Sequence, residues 1–420
     1  MSEIQLVHLE EDNKNINSEI LTRGFIFACT RKTEAESLKN LLFATEKIYG
    51  PIVIRIRKGD LIFLNNLDTD VLYGVFRAVS DGGFNLDPNA FGGKYPYQVK
   101  VQPVSKVLIL NNAKKILDRL EIRRNKPLWG ETLIRLLEAF SQQTLLFPYI
   151  QIEGDAQPIN QLILSIKNSC AKLDIEEEIP IIEATTFWDF PKQSYGLTPK
   201  GNNKYAGVTP ALIIFNLIWR YTNPGELVVD PMCGSGTTID VCEAEKRRVI
   251  GYDIHPTRPD IIENDARQIP LENESVDMVF IDSPYGDNIK YNDSPANIGN
   301  ISCESDEFYN ELEKVMSECA RILKPGKVLG WLIGDQWVRN RFTPVGFRIY
   351  ERLCKYFEPM DIICVSRRGQ YSHTGIWYNR ARRFNFYLRG FKYLIIVRKQ
   401  AGNIPSQKPR KIEWTYYQRG

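Results

Sequence analysis

Residues 228–238 read VVDPMCGSGTT, an apolar strand-like run that leads into a glycine-containing turn and then into a helix-like segment. Such a turn lets the backbone approach a ligand closely and directs the free N–H groups of the helix toward the ligand's negative end. The turn has neither the lysine of a phosphate-binding P-loop nor the G-x-G-x-x-G spacing of a dinucleotide-binding loop. We therefore expect a cofactor site that binds neither ATP nor NAD.

The segments on either side of this turn alternate between helix and strand patterns from about Thr185 onward. The helix-like runs are PALIIFNLIWRY, TTIDVCEAE and a segment from Asp306 to Leu323, and the strand-like runs are ELVVD, VIGYD, VDMVFID and KVLGWLIGD. Strands that alternate with helices of this length indicate a mainly parallel sheet covered by helices. The sequence thus predicts an α/β fold for the second half of the chain.

Acidic residues follow the strands at positions that suit a nucleoside ligand. Asp253 ends the second strand about 20 residues after the turn, where an acid commonly binds ribose hydroxyls, and Asp265 is placed to bind an adenine amine. This combination predicts S-adenosyl-L-methionine as the cofactor. The expected cofactor-binding residues are Thr209, Asp230, Pro231, Cys233, Gly234, Gly236, Thr237, Asp253, Ile254, Asp265 and Ala266.

The tetrapeptide Asp282-Ser283-Pro284-Tyr285 comes directly after the strand VDMVFID, at the sheet edge where ligands bind. The exocyclic amine of a base is a poor nucleophile because its lone pair is delocalised into the ring. Two acceptors for the amine hydrogens draw the lone pair out, and an aromatic face holds the base. We assign Asp282 and the Ser283 carbonyl as acceptors, Pro284 as the residue that restrains the turn, and Tyr285 as the stacking surface.

The segments DPMCGSGTT and DSPYG resemble the signatures of the amino-group DNA methyltransferases, which methylate adenine N6 or cytosine N4. Residues 186–191 and 204–212 extend the resemblance, which covers roughly Thr185 to Lys399. It implies a Rossmann-like, S-adenosylmethionine-dependent methyltransferase domain that acts on a base flipped out of DNA. Ser283 stands where the family usually has proline, but the expected acceptor there is a main-chain carbonyl. Asp282 in the first position favours adenine over cytosine.

The C-terminal end carries the positive charge of the protein. Residues 366–420 contain thirteen Lys or Arg and one acid, whereas the formal net charge of the whole chain is +3. Arginines interleaved with aromatic residues are typical of a nucleic-acid surface, although a solvated basic hairpin with its aromatics in the core is the alternative. The expected nucleic-acid-binding residues are Arg367, Arg368, Tyr371, Arg380, Arg382 and Arg383.

Residues 24–101 carry a second resemblance. The segments GFIFACT at 24–30, GDLIFLNN at 59–66 and SDGGFNLDP at 80–88 resemble the DCD (development and cell death) domain, which is similar to PUA-like barrels. The resemblance implies a small, mostly β domain that reads nucleic acid, with partner docking or scaffolding as the alternatives. The expected domains are this β domain at 1–107, a helical connector at 108–184, the methyltransferase domain at 185–400 and a basic C-terminal tail at 401–420.

The composition argues against membrane, secreted and metal-dependent classes. No apolar run approaches the roughly 20 residues of a membrane span, and the first fifteen residues are too acidic and polar for a signal peptide. The eight cysteines are scattered without a C-x-x-C pair, and the chain has three histidines. We therefore expect a cytoplasmic protein with reduced thiols, no bound metal and no membrane partner.

Rival functions share parts of these motifs. An RNA guanine-N2 methyltransferase has a similar cofactor loop and a similar turn, so RNA is the second candidate partner after DNA. A protein glutamine methyltransferase is disfavoured because asparagine is expected at position 282. A non-catalytic nucleic-acid-binding protein is disfavoured because the acids at 230, 253, 265 and 282 are intact. A restriction or defence-system partner is kept as a hypothesis.

Overall fold

The computed structural model describes residues 5–8, 22–124, 126–142, 150–153, 159–169, 179–205, 207–287, 294–338, 341–367 and 375–401. Arg368, Tyr371 and the basic tail from residue 402 onward therefore lie outside the described residues. The chain divides into two compact units, an N-terminal unit, Met1–Ile181, and a C-terminal unit, Ile182–Gly420. Within the described ranges, no helix has both the length and the apolar character needed to span a membrane.

The N-terminal unit is built mainly from strands. Its strands are β1 (Gln5–His8), β2 (Gly24–Cys29), β3 (Leu42–Thr45), β4 (Leu61–Asn66), β5 (Val71–Ala78), β6 (Gly83–Phe84), β7 (Tyr97–Asn111) and β8 (Ile150–Glu153). Its helices are α1 (Arg31–Asn40), α2 (Gly50–Val53), α3 (Ala113–Arg119), α4 (Gly130–Ser141) and α5 (Ile159–Ser169). Helices α3 and α4 lie in the segment where the sequence predicts a helical connector.

A curved sheet with the order β2-β4-β5-β7-β3 forms the body of this unit. The 15-residue strand β7 pairs with β3 through its first four residues and with β5 through the rest, so the sheet bends around into a nearly closed barrel. Phe140 of α4 stacks on Phe63 at 5.6 Å between ring centres. A Cβ atom on Gly74 would approach both rings within 2.9 Å, which explains the glycine. The predicted small, mostly β barrel is confirmed.

The C-terminal unit alternates strands and helices. Its strands are β9 (Phe187–Trp188), β10 (Leu227–Asp230), β11 (Arg248–Asp253), β12 (Ile262–Glu263), β13 (Val276–Asp282), β14 (Leu323–Ile333), β15 (Gln336–Val338), β16 (Arg341–Thr343), β17 (Glu358–Ser366) and β18 (Phe391–Arg398). Its helices are α6 (Ala211–Tyr221), α7 (Thr237–Ala244), α8 (Asp306–Ile322), α9 (Val345–Leu353) and α10 (Ile376–Arg383).

The sheet of this unit has eight strands in the order β12-β11-β10-β13-β14-β18-β17-β9. Strands β10 to β14 run parallel, and β18 runs antiparallel to both of its neighbours, β14 and β17. The order reverses at β10, because β11 lies on one side of it and β13 on the other. Ligands bind at such switch points, outside the carboxyl ends of the strands. The Rossmann-like α/β expectation is confirmed.

Apolar spacing explains the helices that cover this sheet. In α8 the buried residues recur three or four positions apart, as expected for a helix with one apolar face. This helix begins after Ser305, whose side chain accepts a hydrogen bond from the Glu307 N–H and so satisfies one free donor. Helix α6 is buried at eight successive or nearly successive positions, from Ala211 to Trp219. Helix α6 packs on β13 and β14, and α8 packs on β14, so both helices cover the sheet beside the switch point.

Candidate active site

A cavity opens at the switch point, at the carboxyl ends of β10, β11 and β13. The predicted site residues that line it are Thr209, Asp230, Pro231, Cys233, Gly234, Thr237, Asp253, Ile254, Asp265, Ala266, Asp282, Ser283, Pro284, Tyr285 and Arg367. Gly236 is not among the lining residues and precedes α7 as its N-cap residue. The fold thus brings the two predicted motifs, which are about 50 residues apart in the sequence, into one cavity.

The glycine turn has the geometry that only glycine adopts easily. Gly234 and Gly236 have φ angles of 53° and 80°, in the left-handed region. A Cβ atom on Gly236 would lie 2.6 Å from the guanidinium of Arg258, which bonds Asp240 and Asp260. The Gly236 N–H donates to the Cys233 carbonyl, which closes the turn. These contacts explain why the segment from 233 to 236 is rich in glycine and small residues.

Asp230 is a buried carboxylate at the start of this turn. One of its oxygens accepts from the Met232 N–H at 3.0 Å, and the other accepts from the Thr238 hydroxyl at 2.5 Å. Burial raises the pKa of Asp230 to about 7, and the charges of Asp253 and Asp282 add to the increase, although the two hydrogen bonds oppose it. A positively charged ligand group in the cavity would therefore be favoured near this carboxylate.

The two nucleoside acids differ in their partners. Asp253 accepts hydrogen bonds from the backbone N–H groups of Gly234 and His255 at 2.9 and 2.8 Å, and burial raises its pKa. Asp265 instead forms a bidentate ion pair with Arg267, at distances down to 2.6 Å. Partial burial pushes the pKa of Asp265 upward, but the Arg267 hydrogen bonds outweigh it and hold that pKa below its usual range. Asp265 is therefore the more firmly ionised acid.

Asp282 lies at the end of β13 and receives hydrogen bonds from three side chains. The Thr209 hydroxyl donates to Oδ2 at 2.7 Å, and the Lys392 ammonium lies 3.3 Å from the same oxygen. The Tyr285 hydroxyl donates to Oδ1 at 2.9 Å. Since these donors come from separate parts of the chain, the carboxylate is held in one orientation at the edge of the cavity.

Ser283, the residue that departs from the family pattern, has a structural partner. Its hydroxyl accepts a hydrogen bond from the indole N–H of Trp331 at 3.0 Å, and both side chains are buried. Trp331 belongs to β14, the strand next to β13. The serine therefore gives a buried indole N–H an acceptor, which proline cannot do.

Several residues of this region are not among the predicted site residues, and two of them place a cation beside a predicted acid. Lys392 lines the cavity beside Asp282, and Arg267 binds Asp265. Lys392 occurs within the apolar run of the last strand, where it looks like an ordinary edge residue. Arg267 follows Asp265 by two positions, a spacing that carries no specific signal. The pairing of β18 between β14 and β17 places Lys392 near the cavity.

The predicted nucleic-acid residues divide into two places. Arg367 lines the cavity, whereas Arg380, Arg382 and Arg383 lie on α10, a helix without a buried residue. Each of these three guanidinium groups lies 5.0 to 5.5 Å from the centre of an aromatic ring. The rings belong to Trp377, Tyr378 and Phe384, which are all exposed. The aromatic residues of this helix are therefore on the surface and not in the core.

The hairpin of β15 and β16 adds aromatic residues that the sequence interpretation did not include. Trp337 stacks on Phe386 at 6.2 Å with an interplanar angle of 24°, and Arg389 lies 5.2 Å from the ring centre of Phe342. Trp337 and Phe342 are both more than 40% exposed. Exposed aromatic rings beside arginines form a surface suited to bases and phosphates.

Comparisons with known proteins agree with both resemblances. Residues 23–120 match the family "Development and cell death domain", and residues 164–264 match the family "DNA methylase". The second match ends before Asp282, so the tetrapeptide lies beyond it. Neither match covers half of the chain.

Among the relatives, the DCD domain-containing protein NRP-B of Glycine max is 41% identical over 85 residues, which are 19% of this chain and 26% of that protein. The DNA adenine methyltransferase YhdJ of Escherichia coli (strain K12) is 35% identical over 68 residues, 16% of this chain and 22% of that protein. The type II methyltransferase M.Cfr9I of Citrobacter freundii is 35% identical over 72 residues, 17% of this chain and 22% of that protein.

The chain spans about a quarter of the length of each of these relatives. The two family matches lie at different places in the chain, one for the development and cell death domain and one for the DNA methylase. The chain therefore contains one region that matches the development and cell death domain, at residues 23–120, and a second that matches the N6/N4 DNA methylase family, at residues 164–264.

Proposed function

We propose that this protein is a DNA methyltransferase that transfers a methyl group from S-adenosyl-L-methionine to the exocyclic amine of a flipped base, adenine N6 in preference to cytosine N4. The observation that carries the proposal is the position of Asp282. Its carboxylate lies in the same cavity as the glycine turn, and the Ser283 backbone follows it directly. The similarity of part of the C-terminal unit to DNA methylases supports DNA as the substrate.

The acids of the cavity fit S-adenosyl-L-methionine. This cofactor has two positively charged groups and a ribose with two hydroxyls, and buried carboxylates with free lone pairs complement both features. We assign Asp253 to the ribose, Asp265 and Ala266 to the adenine, and the segment from Asp230 to Thr237 to the methionine part. Gly251 supports the fit, because a Cβ atom there would lie 2.7 Å from the Cys233 sulfur and disturb the turn. When bound, the cofactor supplies an electrophilic methyl group.

The residues assigned to activating the base are those of the tetrapeptide Asp282–Tyr285. Asp282 and the Ser283 carbonyl accept the two amine hydrogens, which localises the lone pair on nitrogen. Pro284 restrains Ser283 to extended geometry and so aims its carbonyl. Tyr285 offers its ring to the base while its hydroxyl orients Asp282 at 2.9 Å. No general base is needed before transfer, because the amine loses its extra proton afterwards.

A surface for the surrounding DNA is provided by α10 and the β15–β16 hairpin. A base inside a duplex cannot reach the cavity, so the enzyme must flip the base out and bind the flanking backbone. Arg380, Arg382 and Arg383 are assigned to phosphates, and Arg367, in the cavity, is assigned to the flipped nucleotide. Arg368 and Tyr371 stay predictions for the same surface. This assignment requires the DNA affinity to fall with increasing salt.

The proposed function includes limits for each domain, a role for the β domain, a compartment and a partner. The domain limits are 1–107 for the β domain, 108–184 for the helical connector, 185–400 for the methyltransferase domain and 401–420 for the basic tail. The β domain reads nucleic acid in preference to docking a partner, and the enzyme acts in the cytoplasm. Similarity to a type II methyltransferase supports a restriction or defence-system partner.

The proposal is tested with purified protein, tritiated S-adenosyl-L-methionine and parallel DNA and RNA substrates. The product is digested to nucleosides and identified by mass spectrometry, with Asp282→Ala as the control. We expect label in N6-methyladenine that is lost in the variant. Label in N4-methylcytosine would reassign the base, label confined to RNA would replace DNA as the substrate, and binding of cofactor without any transfer would contradict the proposed activity.

The surface assignment has its own test. Arg380→Ala should weaken DNA binding by a similar factor for all sequences and lower the slope of log affinity against log salt by about 1. Lys314→Ala is the matched control, because Lys314 is a 60% exposed cation on α8 that pairs with Glu311. An equal effect of the two variants, measured by fluorescence anisotropy, would argue against α10 as the DNA surface.

A further inference from the structure

Lys392 is a buried cation at the base end of the cavity. It lies on β18 opposite Val365 of β17 and is 8% exposed. Its ammonium nitrogen is 3.3 Å from Asp282 Oδ2 and 5.1 Å from the centre of the Tyr285 ring. Lysine is rarely buried to this extent unless it is paired, and here its partner is the proposed acceptor of the amine hydrogens. The mechanism described above gives this ammonium group no task.

The ion pair of Asp282 and Lys392 places an acceptor and a donor side by side. An ionised carboxylate only accepts hydrogen bonds, and an ammonium group only donates them. Because the two groups are 3.3 Å apart and line one cavity, a single ligand edge can contact both. The complementary edge carries a donor next to an acceptor, in the same plane.

Adenine and cytosine have this pattern on their pairing edges. In both bases the exocyclic amine stands next to a ring nitrogen without a proton, whereas the guanine amine stands next to a ring N–H on that edge. Flipped bases are commonly read through this edge. Guanine would therefore place its ring N–H against the Lys392 ammonium, so that two hydrogen-bond donors would face each other.

We propose that Lys392 donates a hydrogen bond to the ring nitrogen next to the target amine, so that the Asp282–Lys392 pair selects amino bases with an unprotonated neighbouring nitrogen. This inference rests on the proposed function and deepens it by naming the residue that recognises the ring nitrogen of adenine or cytosine. Lysine has three N–H groups, so one can stay with Asp282 while another binds the base. The ammonium also lies 5.1 Å from the centre of the Tyr285 ring, the proposed stacking surface, and so is close to the proposed position of the base.

A purely structural role for Lys392 makes a different prediction. If the ammonium only held Asp282 in place, its removal would slow transfer to every base equally. If the ammonium binds the ring nitrogen, its removal abolishes the difference in kcat/KM between the natural base and an analogue that lacks this nitrogen. The ratio of two substrates on one enzyme therefore separates the roles, and it is unaffected by partial loss of folded protein.

The experiment uses duplex DNA with the sequence that the wild-type enzyme methylates in plasmid DNA. The target adenine is replaced by 1-deazaadenine, in which a C–H group replaces the ring nitrogen; for a cytosine target, 3-deazacytosine serves the same purpose. We expect the wild-type enzyme to lose about 10- to 100-fold in kcat/KM on the analogue. For Lys392→Met the ratio should fall to between one and three, and Lys392→Arg should retain part of the discrimination.

Lys399→Met is the matched control, because Lys399 lies just beyond the same strand and binds Glu274 and the Leu323 carbonyl. It should discriminate like the wild type. Equal rates of the wild-type enzyme on the base and its analogue would overturn the inference, and so would an unchanged ratio in Lys392→Met. If the wild type methylates no amine of adenine or cytosine in DNA, the proposed function itself fails, and the inference is overturned with it.

Discussion

The two proposed ends of the cavity, a cofactor end at Asp230 and a base end at Asp282, are built in different ways. At the cofactor end, Asp230 is held by Met232 and Thr238, which are two and eight residues away in the sequence. At the base end, Asp282 is held by Thr209, 73 residues before it, and by Lys392, 110 residues after it. The first carboxylate is organised by a local turn and the second by the assembled sheet. A short motif can therefore encode the cofactor end but only part of the base end.

The two carboxylates also differ in their electrostatics. Asp230 is buried among hydrogen-bond donors that carry no charge, and its pKa is raised to about 7. Asp282 has an ammonium group 3.3 Å away. The cofactor end is therefore suited to a ligand that brings positive charge, while the base end has its own cation and is suited to a neutral base. This contrast can be tested one residue at a time.

The largest expected effect is at the base end. Asp282→Ala removes one of the two proposed acceptors, so kcat for methyl transfer should fall by about 10²- to 10³-fold. The cofactor affinity, measured by isothermal titration calorimetry, should change by only a few fold, because Asp282 is assigned to the base. If the variant loses cofactor binding as strongly as transfer, the division of the cavity into two ends is wrong.

Asp230 should make the stability of the protein depend on pH. Its pKa is raised in the folded protein from the ordinary value near 3.8 to about 7, so the folded state binds the proton more tightly. The free energy of unfolding of the cofactor-free protein should therefore decrease as the pH rises from about 4 to about 7, by on the order of 2–4 kcal/mol. Asp230→Asn should remove most of this decrease in urea unfolding at pH 5 and pH 8.

Asp277→Asn is the control for this prediction. Asp277 is buried, which pushes its pKa upward, but ion pairs with Lys324 and Lys327 hold that pKa below its usual range. Its contribution to stability is therefore lost only in acid below about pH 5, so Asp277→Asn should leave the difference in the free energy of unfolding between pH 5 and pH 8 unchanged. If both variants change the pH dependence in the same direction, the assignment to Asp230 is contradicted.

Substitution of Ser283 should lower the stability of the protein and leave the transfer rate nearly unchanged. Ser283→Ala leaves the buried indole N–H of Trp331 without its acceptor, which should lower the free energy of unfolding by about 1–3 kcal/mol. The transfer rate should stay within a few fold, because the main-chain carbonyl is retained. Ser275→Ala is the control, since the Ser275 hydroxyl is exposed and bonds the Glu272 carbonyl. A large rate loss with unchanged stability would reverse these roles.

Thr209 tests the long-range support of Asp282. Thr209→Val removes the hydroxyl that donates at 2.7 Å, and we expect kcat/KM to fall about tenfold, as for one hydrogen bond to a charged group. Thr209→Ser retains the hydroxyl and should stay close to the wild type. Equal losses in the two variants would mean that Thr209 acts by filling space and not by orienting the carboxylate.

Much of the fold was predictable from residue patterns. The run VVDPMCGSGTT and the alternation of apolar strands with helices were sufficient to predict β10, α7 and β13, because each is formed by local spacing. The small barrel was predictable from its resemblance and its turn signals. The helical form of α10 was not predicted, whereas the exposure of its arginines and aromatic residues was the favoured one of two alternatives, and the packing decides for it.

The candidate site shows the same division. Asp230, Asp253 and Asp282 were predictable because each ends a parallel strand, and such ends meet at one edge of the sheet. The partner of Asp265 was not predictable, since whether a carboxylate faces a ligand or an arginine depends on side-chain packing. Arg267 forms an ion pair with the Asp265 carboxylate at 2.6 Å. Fewer acceptor positions of that carboxylate therefore remain for the adenine amine than an unpaired acid would offer.

By itself, the sequence determined the class of the sheet, the glycine turn and the acids at the strand ends, because these depend on local periodicity and on conformations that particular residues favour. The tertiary structure decided that Thr209 and Lys392 meet at Asp282, that Ser283 serves Trp331, and that the aromatic rings beside the arginines lie on the surface. These contacts join residues far apart in the chain, and their geometry exists only once the strands have paired in one register.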